Sequence, residues 1–223
     1  TPLRIKHYVN GALIRYTTDG TEPDSIHSSI YNDKVAIEGN TMLKARAFKS
    51  GWSGSETIQQ YFYKSTYRPD TSYFITKPDP KYVPFGPGIL FNLTKGELFN
   101  FGGGQWLGYR ENKMETLLRF SSAKPVQQVI VSCLVQPGSY IMPPVQVEVW
   151  GGNDPKQLKL LGKAKPAPLQ KMESGSNLPV DITFPKTEVT YLQVKAVPLP
   201  VLPKWHPGKG EKGWIFVDEF FIN

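Results

Sequence analysis

Apolar and polar residues alternate with a period of two along much of the chain, the pattern of strands with one wet face. In residues 3–9, LRIKHYV, the alternation puts Leu3, Ile5 and His7 on one side. Residues 12–23, ALIRYTTDGTEP, run from a strand into Asp19-Gly20, a strong turn pair. The stretch NTMLKARAFKSGWSG predicts another strand. Met42, Lys44, Arg46 and Phe48 take one face, and Leu43, Ala45, Ala47 and Lys49 the other, with the Leu-Ala-Ala side toward the core. ETIQQYFYK adds a last strand. Five or six short strands in about 65 residues suit a small β-sandwich.

KSTYRPDTS, at residues 64–72, is polar, contains a proline and reads as a linker, so a domain boundary is expected between Lys64 and Tyr73. The expected domains are residues 1–65 and 73–223. In the second, METLLRF, VQQVIVSCLV, VQVEVWGG, LPVDITF, TYLQVKAV and GWIFVDEFFI each predict a strand. Val145, Val147 and Val149 fall on one face and Gln146, Glu148 and Trp150 on the other. No amphipathic pattern persists beyond two helical turns. The fold class is therefore all-β: two β-sandwich domains, the second of jelly-roll kind.

Composition sharpens this reading. Aromatic residues make up 13% of 223 residues, and Gly and Pro number 20 each, which suits short strands and dense turns. No run of about 18 apolar residues is present, so no membrane span is predicted. The chain starts at Thr1 with no basic-then-apolar leader and enters a strand-like run almost at once, which reads as an excised piece of a longer protein. The lone Cys133, inside an apolar run, reads as a small core residue. The net charge of +7 raises nucleic acid as a partner, but residues 1–65 hold 8 basic against 6 acidic residues and the remainder 18 against 13. The lysines are scattered singly, with local excess only at 156–171 and 204–212, so no nucleic-acid partner is expected.

Ile14, Tyr16, Thr17, Thr18, Asp19, Gly20, Pro23, Ser29, Tyr31, Lys44, Ala45, Ala47 and Gly51 carry a resemblance across nearly all of the first segment. It resembles the fibronectin-III-like domain at the C-terminus of bacterial chitobiases and β-hexosaminidases, an accessory without catalytic residues. Side chains of Thr and Asp can bond the TTDG turn backbone, and Gly20 supplies a positive φ. WLGYRENKMETLLRF, QPGSYIMPPVQVEVWGGND, YLQVKAV and WHPGKGEKGWIFVDEF resemble the galactose-binding-like, discoidin-type sandwich that follows such a module in exo-hexosaminidases of Bacteroidetes character. The resemblance implies a non-catalytic, carbohydrate-binding accessory region of a larger bacterial glycoside hydrolase-like protein, such as a β-N-acetylhexosaminidase. It is not an enzyme itself. Its partners would be a glycan or polysaccharide and an upstream catalytic domain of the same parent chain, and its place extracellular, on the cell surface or periplasmic. The competing function is a structural or protein-interaction tail with no sugar affinity.

Many domains of this superfamily hold a structural calcium through an Asp-Gly pair in an early loop. ILFNLTKGE puts Asn92 and Leu93 at those positions, and Glu219 matches the acidic residue near the C-terminus. Asn92 offers an uncharged oxygen, and calcium affinity rises with ligand charge. No cofactor is expected, and this weakened calcium position is the one candidate cation site.

METLLRF and VQQVIVSCLV read as antiparallel neighbours, which would bring the loop before the first and the loop after the second to one end of the sandwich. The first loop offers Trp106, Tyr109, Arg110 and Asn112; the second offers Gln136, Ser139 and Tyr140; a long loop at 198–213 adds Trp205 and His206. A sugar needs an aromatic plate for its C–H face and planar hydrogen-bonding groups for its hydroxyls. Trp106, Tyr109, Arg110, Gln136, Tyr140, Trp205 and His206 are the candidate carbohydrate-binding residues. The bland alternative makes Trp106 and Tyr109 plugs of the sandwich end, packs Trp205 under its own loop, and has His206 cap a backbone carbonyl. Residues 102–104, three glycines, lack the strand-to-helix context of a phosphate loop.

Overall fold

The period-two pattern delivers what it predicts: regular structure among the described residues is strand, apart from short 3-10 turns such as Pro87–Phe91. The structure, a computed structural model, describes residues 3–83 and 85–223. It divides into two units, Thr1–Lys64 and Ser65–Asn223.

In the first unit, strands β1 (Leu13–Thr17), β2 (Ser29–Ile30), β3 (Thr41–Phe48) and β4 (Ile58–Phe62) form an antiparallel sheet in the order β2-β1-β3-β4. Leu43, Ala45 and Ala47 are buried, as the alternation of β3 requires. Four strands form among the described residues rather than five or six. Residues 3–9 keep the expected alternation, with Leu3 buried and Arg4, Lys6 and Tyr8 exposed. Their backbone does not enter a ladder: the Leu3 N–H bonds the Val35 carbonyl at 3.0 Å. Ile5 and His7 instead lie over the sheet, lining a small cavity with Ala45 and Ala47. The TTDG turn closes through side chains. Asp19 accepts the Thr21 N–H at 3.0 Å and the Thr21 hydroxyl at 2.7 Å, and Gly20 takes φ +84°. Those bonds hold the Asp19 carboxyl below its ordinary value, which suits a turn clasp.

The second unit contains β5 (Thr71–Thr76), β6 (Leu107–Tyr109), β7 (Met114–Val135), β8 (Gln146–Gly152), β9 (Lys159–Ala164), β10 (Ser176–Val197) and β11 (Ile215–Ile222). Residues 65–70, read from sequence as linker, belong here: the Thr66 and Tyr67 N–H groups both bond the Ile222 carbonyl. Strand order is β6-β11-β7-β10-β8-β9, with β5 also on β7.

Two strands of 22 residues define the architecture. METLLRF and VQQVIVSCLV are not neighbours but the two arms of β7; LPVDITF and TYLQVKAV are the two arms of β10. Each bends near a proline that the sequence reads as punctuation. Pro125 pairs opposite Glu188, and Pro185 falls within the register shift between Thr183 and Thr187. Proline is tolerated in strands at bulges of this kind. The later arm of β7 and the first arm of β10 share a layer with β11 and β6. The opposite arms share another layer with β5, β8 and β9. Val131, Cys133, Val217 and Phe220 from the first layer meet Leu118, Val147, Val149 and Val194 from the second in one buried cluster. Each such side chain, fully buried, contributes about 1.5–3 kcal/mol. Cys133 is the expected core residue; burial pushes its thiol up to about 12.

β11 is buried along its whole length. Ile215, Val217, Phe220 and Ile222 join the central core, while Phe216 joins Trp106, Leu134 and Ile141 in a second cluster. The phase of alternation changes at a register shift between Val217 and Glu219. That bulge leaves both Asp218 and Glu219 buried.

Candidate functional site

Because β7 folds back over the core, the loops before and after it do reach the same end of the second unit. The reason is a bent strand, not the pairing expected from sequence. Gly108 and Leu134 both pair with Phe216 of β11. The third loop, 198–214, is clasped to both. His206 is buried, with its Nδ1 accepting the Gly208 N–H at 2.9 Å. Its Nε2 therefore carries the hydrogen and donates to the Pro137 carbonyl at 2.8 Å. Arg110 donates to the Lys212 carbonyl and pairs with Glu211 at 3.1 Å, and Lys212 pairs with Glu111.

Tyr140 follows the 3-10 turn Pro137–Ser139 in the left-handed region, at φ +65°. A non-glycine residue there is held at some cost by its surroundings. Its N–H bonds Pro137, its carbonyl accepts from Trp214, and its ring meets His206 edge-on at 5.0 Å. The ring lies so close to Gly208 that a Cβ on that residue would come within 2.2 Å of it. This accounts for the glycine after Trp-His-Pro: the loop backbone is the bed of the Tyr140 ring.

The structure separates the candidate residues. Trp106 and Tyr109 are corrected to core residues, 0% and 2% exposed, and present no face to a ligand. The Trp106 indole N–H bonds the Glu97 carbonyl at 3.0 Å. Burial raises the Tyr109 hydroxyl above its ordinary value. His206 is likewise corrected from ligand contact to loop clasp, since both ring nitrogens are engaged. Tyr140, Trp205, Arg110 and Gln136 are partly exposed and stand on the joined loops. Trp205 leans on the His206 ring at 5.6 Å. Gln136 has a buried side-chain oxygen without a hydrogen-bond partner. Sequence reasoning missed Trp214, which is partly exposed, lies under the Arg110 guanidinium at 5.7 Å and takes the Tyr82 ring edge-on at 5.4 Å. Its alternation with Phe216 on β11 was the available signal; Tyr82, far away in sequence, gave none.

The residues at the calcium position do not fit that ion. The Asn92 side-chain oxygen is taken by the Thr94 N–H at 2.7 Å. Asp218 is paired with the Lys95 ammonium at 2.7 Å and accepts the Gly96 N–H at 2.8 Å. Glu219 accepts the Thr94 N–H through Oε1, while its Oε2 is buried without a partner. Burial raises this carboxyl to about 8. An engaged amide oxygen, a carboxylate paired with lysine and the lysine ammonium itself are a poor donor set for a hard divalent cation.

A family model described as Fn3 associated matches residues 3–62. A comparison with curated proteins finds no match. Among solved structures, the CBM32 of AlyQ in complex with 4,5-unsaturated mannuronic acid is 14% identical. That match covers 70% of this chain and 96% of the other, with a TM-score of 0.45. A CBM32 from Clostridium perfringens in complex with GalNAc-β-1,3-galactose is 11% identical, with 68% and 93% covered and a TM-score of 0.46. The C-terminal domain of a chitobiase from Bacteroides fragilis is 10% identical, with 68% and 92% covered and a TM-score of 0.42.

Proposed function

We propose that the second unit is a non-catalytic carbohydrate-binding module in an accessory region of a larger, secreted or surface bacterial protein of glycoside hydrolase type. The observation that carries this reading is the end of the sandwich where three clasped loops leave Tyr140, Trp205 and Trp214 partly exposed, with the Arg110 guanidinium over the Trp214 ring. Aromatic faces suit the apolar C–H surface of a pyranose, and a planar fork suits its hydroxyls. The His206 clasp and the bed at Gly208 hold these groups before a ligand arrives, which reduces the ordering cost of binding. The nearby carboxylates support binding rather than hydrolysis. Glu111 is held below its usual value by Lys212, the opposite of what a general acid needs. The upstream catalytic domain would supply the chemistry, and tethering to it would make modest affinity sufficient.

Replacing Trp205 with alanine is expected to lower glycan affinity by at least about tenfold, as loss of an aromatic contact does at a small site. Thermal unfolding should change little, because the ring is only partly buried. The measurement is titration of wild type and Trp205→Ala with galactose- and hexosamine-containing glycans, beside melting curves for both. Wild type that binds none of them at millimolar concentration would sink the reading in favour of a structural tail.

A further inference from the structure

We infer that the second unit carries a separate binding site for a monomeric anionic amphiphile, away from the three clasped loop tips. A cavity of about 450 Å³ opens between the segments 142–145, 165–169 and 199–203. That volume lies in the range of small-molecule sites, about 300–1,000 Å³. Its walls are nearly all apolar, and five of its lining residues are prolines: Pro143, Pro144, Pro166, Pro168 and Pro203. Val145 and Val201 leave 41% and 57% of their surface open to water in a place where apolar surface has no structural use.

Two of the three walls are pinned by backbone hydrogen bonds. The Val145 N–H bonds Val197, the Met142 N–H bonds Trp214, and the Gly213 N–H bonds Leu199. The prolines add stiffness and withhold N–H donors. An extended peptide laid against them would leave its own carbonyls unpaired, which argues against a protein strand as the occupant. An alkyl body has no such requirement.

The rim supplies the sign of the head group. Lys165 lines the cavity, and Lys163, Lys171 and Lys204 lie within two residues of lining positions. No aspartate or glutamate is among the lining residues. Among the described residues none of these four lysines is in an ion pair. An apolar cavity with the unpaired Lys165 ammonium on its wall selects an apolar chain with a carboxylate or similar anion at one end.

The test is calorimetric titration of the full chain with decanoate, below its aggregation concentration. Decyltrimethylammonium and phosphatidylglycerol vesicles serve as the other two probes. Decanoate should bind saturably at one site, the cation should not, and vesicles should not be retained. Ala167→Trp, at an exposed lining position, should fill the cavity and abolish binding with the melting temperature unchanged. Lys165→Glu with Lys204→Glu should weaken binding by roughly tenfold. Equal binding of the cationic probe, undiminished binding by Ala167→Trp, no binding of decanoate, or binding to vesicles alone would each overturn the inference. Because the lining shares no residue with Tyr140, Trp205 or Trp214, failure here leaves the glycan reading standing, and the reverse.

Discussion

Trp106→Ala should destabilise the second unit by about 3–5 kcal/mol, a large share of the 5–15 kcal/mol that holds an ordinary domain folded. The indole is fully buried against Leu134, Ile141 and Phe216, and its removal would leave a cavity in that cluster. Its hydrogen bond to the Glu97 carbonyl would also be lost, leaving that acceptor to find water. Trp106→Phe separates the two contributions, since it keeps most of the apolar contact and removes only the donor; a smaller loss is expected. Urea unfolding followed by far-ultraviolet circular dichroism measures both. Were Trp106 a sugar-stacking plate, Trp106→Ala would leave the unfolding midpoint almost unmoved and abolish glycan binding, and that outcome would refute its assignment to the core.

The stability of the second unit should fall as pH rises from about 4.5 to about 8, and Glu219 should be the cause. Its folded carboxyl keeps a proton up to about 8, while in the unfolded chain it ionises near its ordinary value of 4.5. Between those limits the folded state binds one proton more than the unfolded state, so raising the pH favours unfolding. Below the window both forms are protonated and the contribution is constant; above it both are ionised and the loss is complete. Burial is the main cause. The neighbouring Asp218 carboxylate pushes the same way, and the Lys95 ammonium opposes it. The full effect is on the order of 3–5 kcal/mol. Glu219→Gln retains an oxygen for the Thr94 N–H and cannot ionise, so its urea midpoint should be flat where that of wild type declines. Parallel profiles for the two proteins between pH 5 and 9 would show that Glu219 does not carry the slope.

The sequence made the inward face of β3 legible, because Leu43, Ala45 and Ala47 alternate without interruption and no competing partner disturbs the register. It made the TTDG turn legible for a related reason: a turn built by its own side chains is a local object. What it could not show were the two long strands. Pro125 and Pro185 are stop signals in any short window, and only the paired partner reveals that the ladder runs past them. The candidate site failed in the same way. Trp106, Tyr109 and Trp205 look alike as aromatics beside glycine. Only packing decides that the first two face inward, Trp106 into the second cluster with Leu134, Ile141 and Phe216 and Tyr109 into the central core. Strict alternation would put one of Asp218 and Glu219 in and the other out. The bulge at Val217 and Glu219 buries both, and no local pattern announces a bulge.

The bent strands have a further consequence, which concerns cooperativity. β7 and β10 run through both layers, so neither layer can lose its central ladder without breaking a strand that the other also needs. The layers cannot behave as two foldons that open in turn. Amide protons near Leu118 and near Val131 should therefore exchange with the same opening free energy, although they lie in different layers. Most of these pairings also join residues far apart in sequence, such as Phe216 with Leu134 and Met114 with Ala196. The chain must close those long loops before the contacts reward it, so the second unit belongs among slow-folding, high-contact-order proteins.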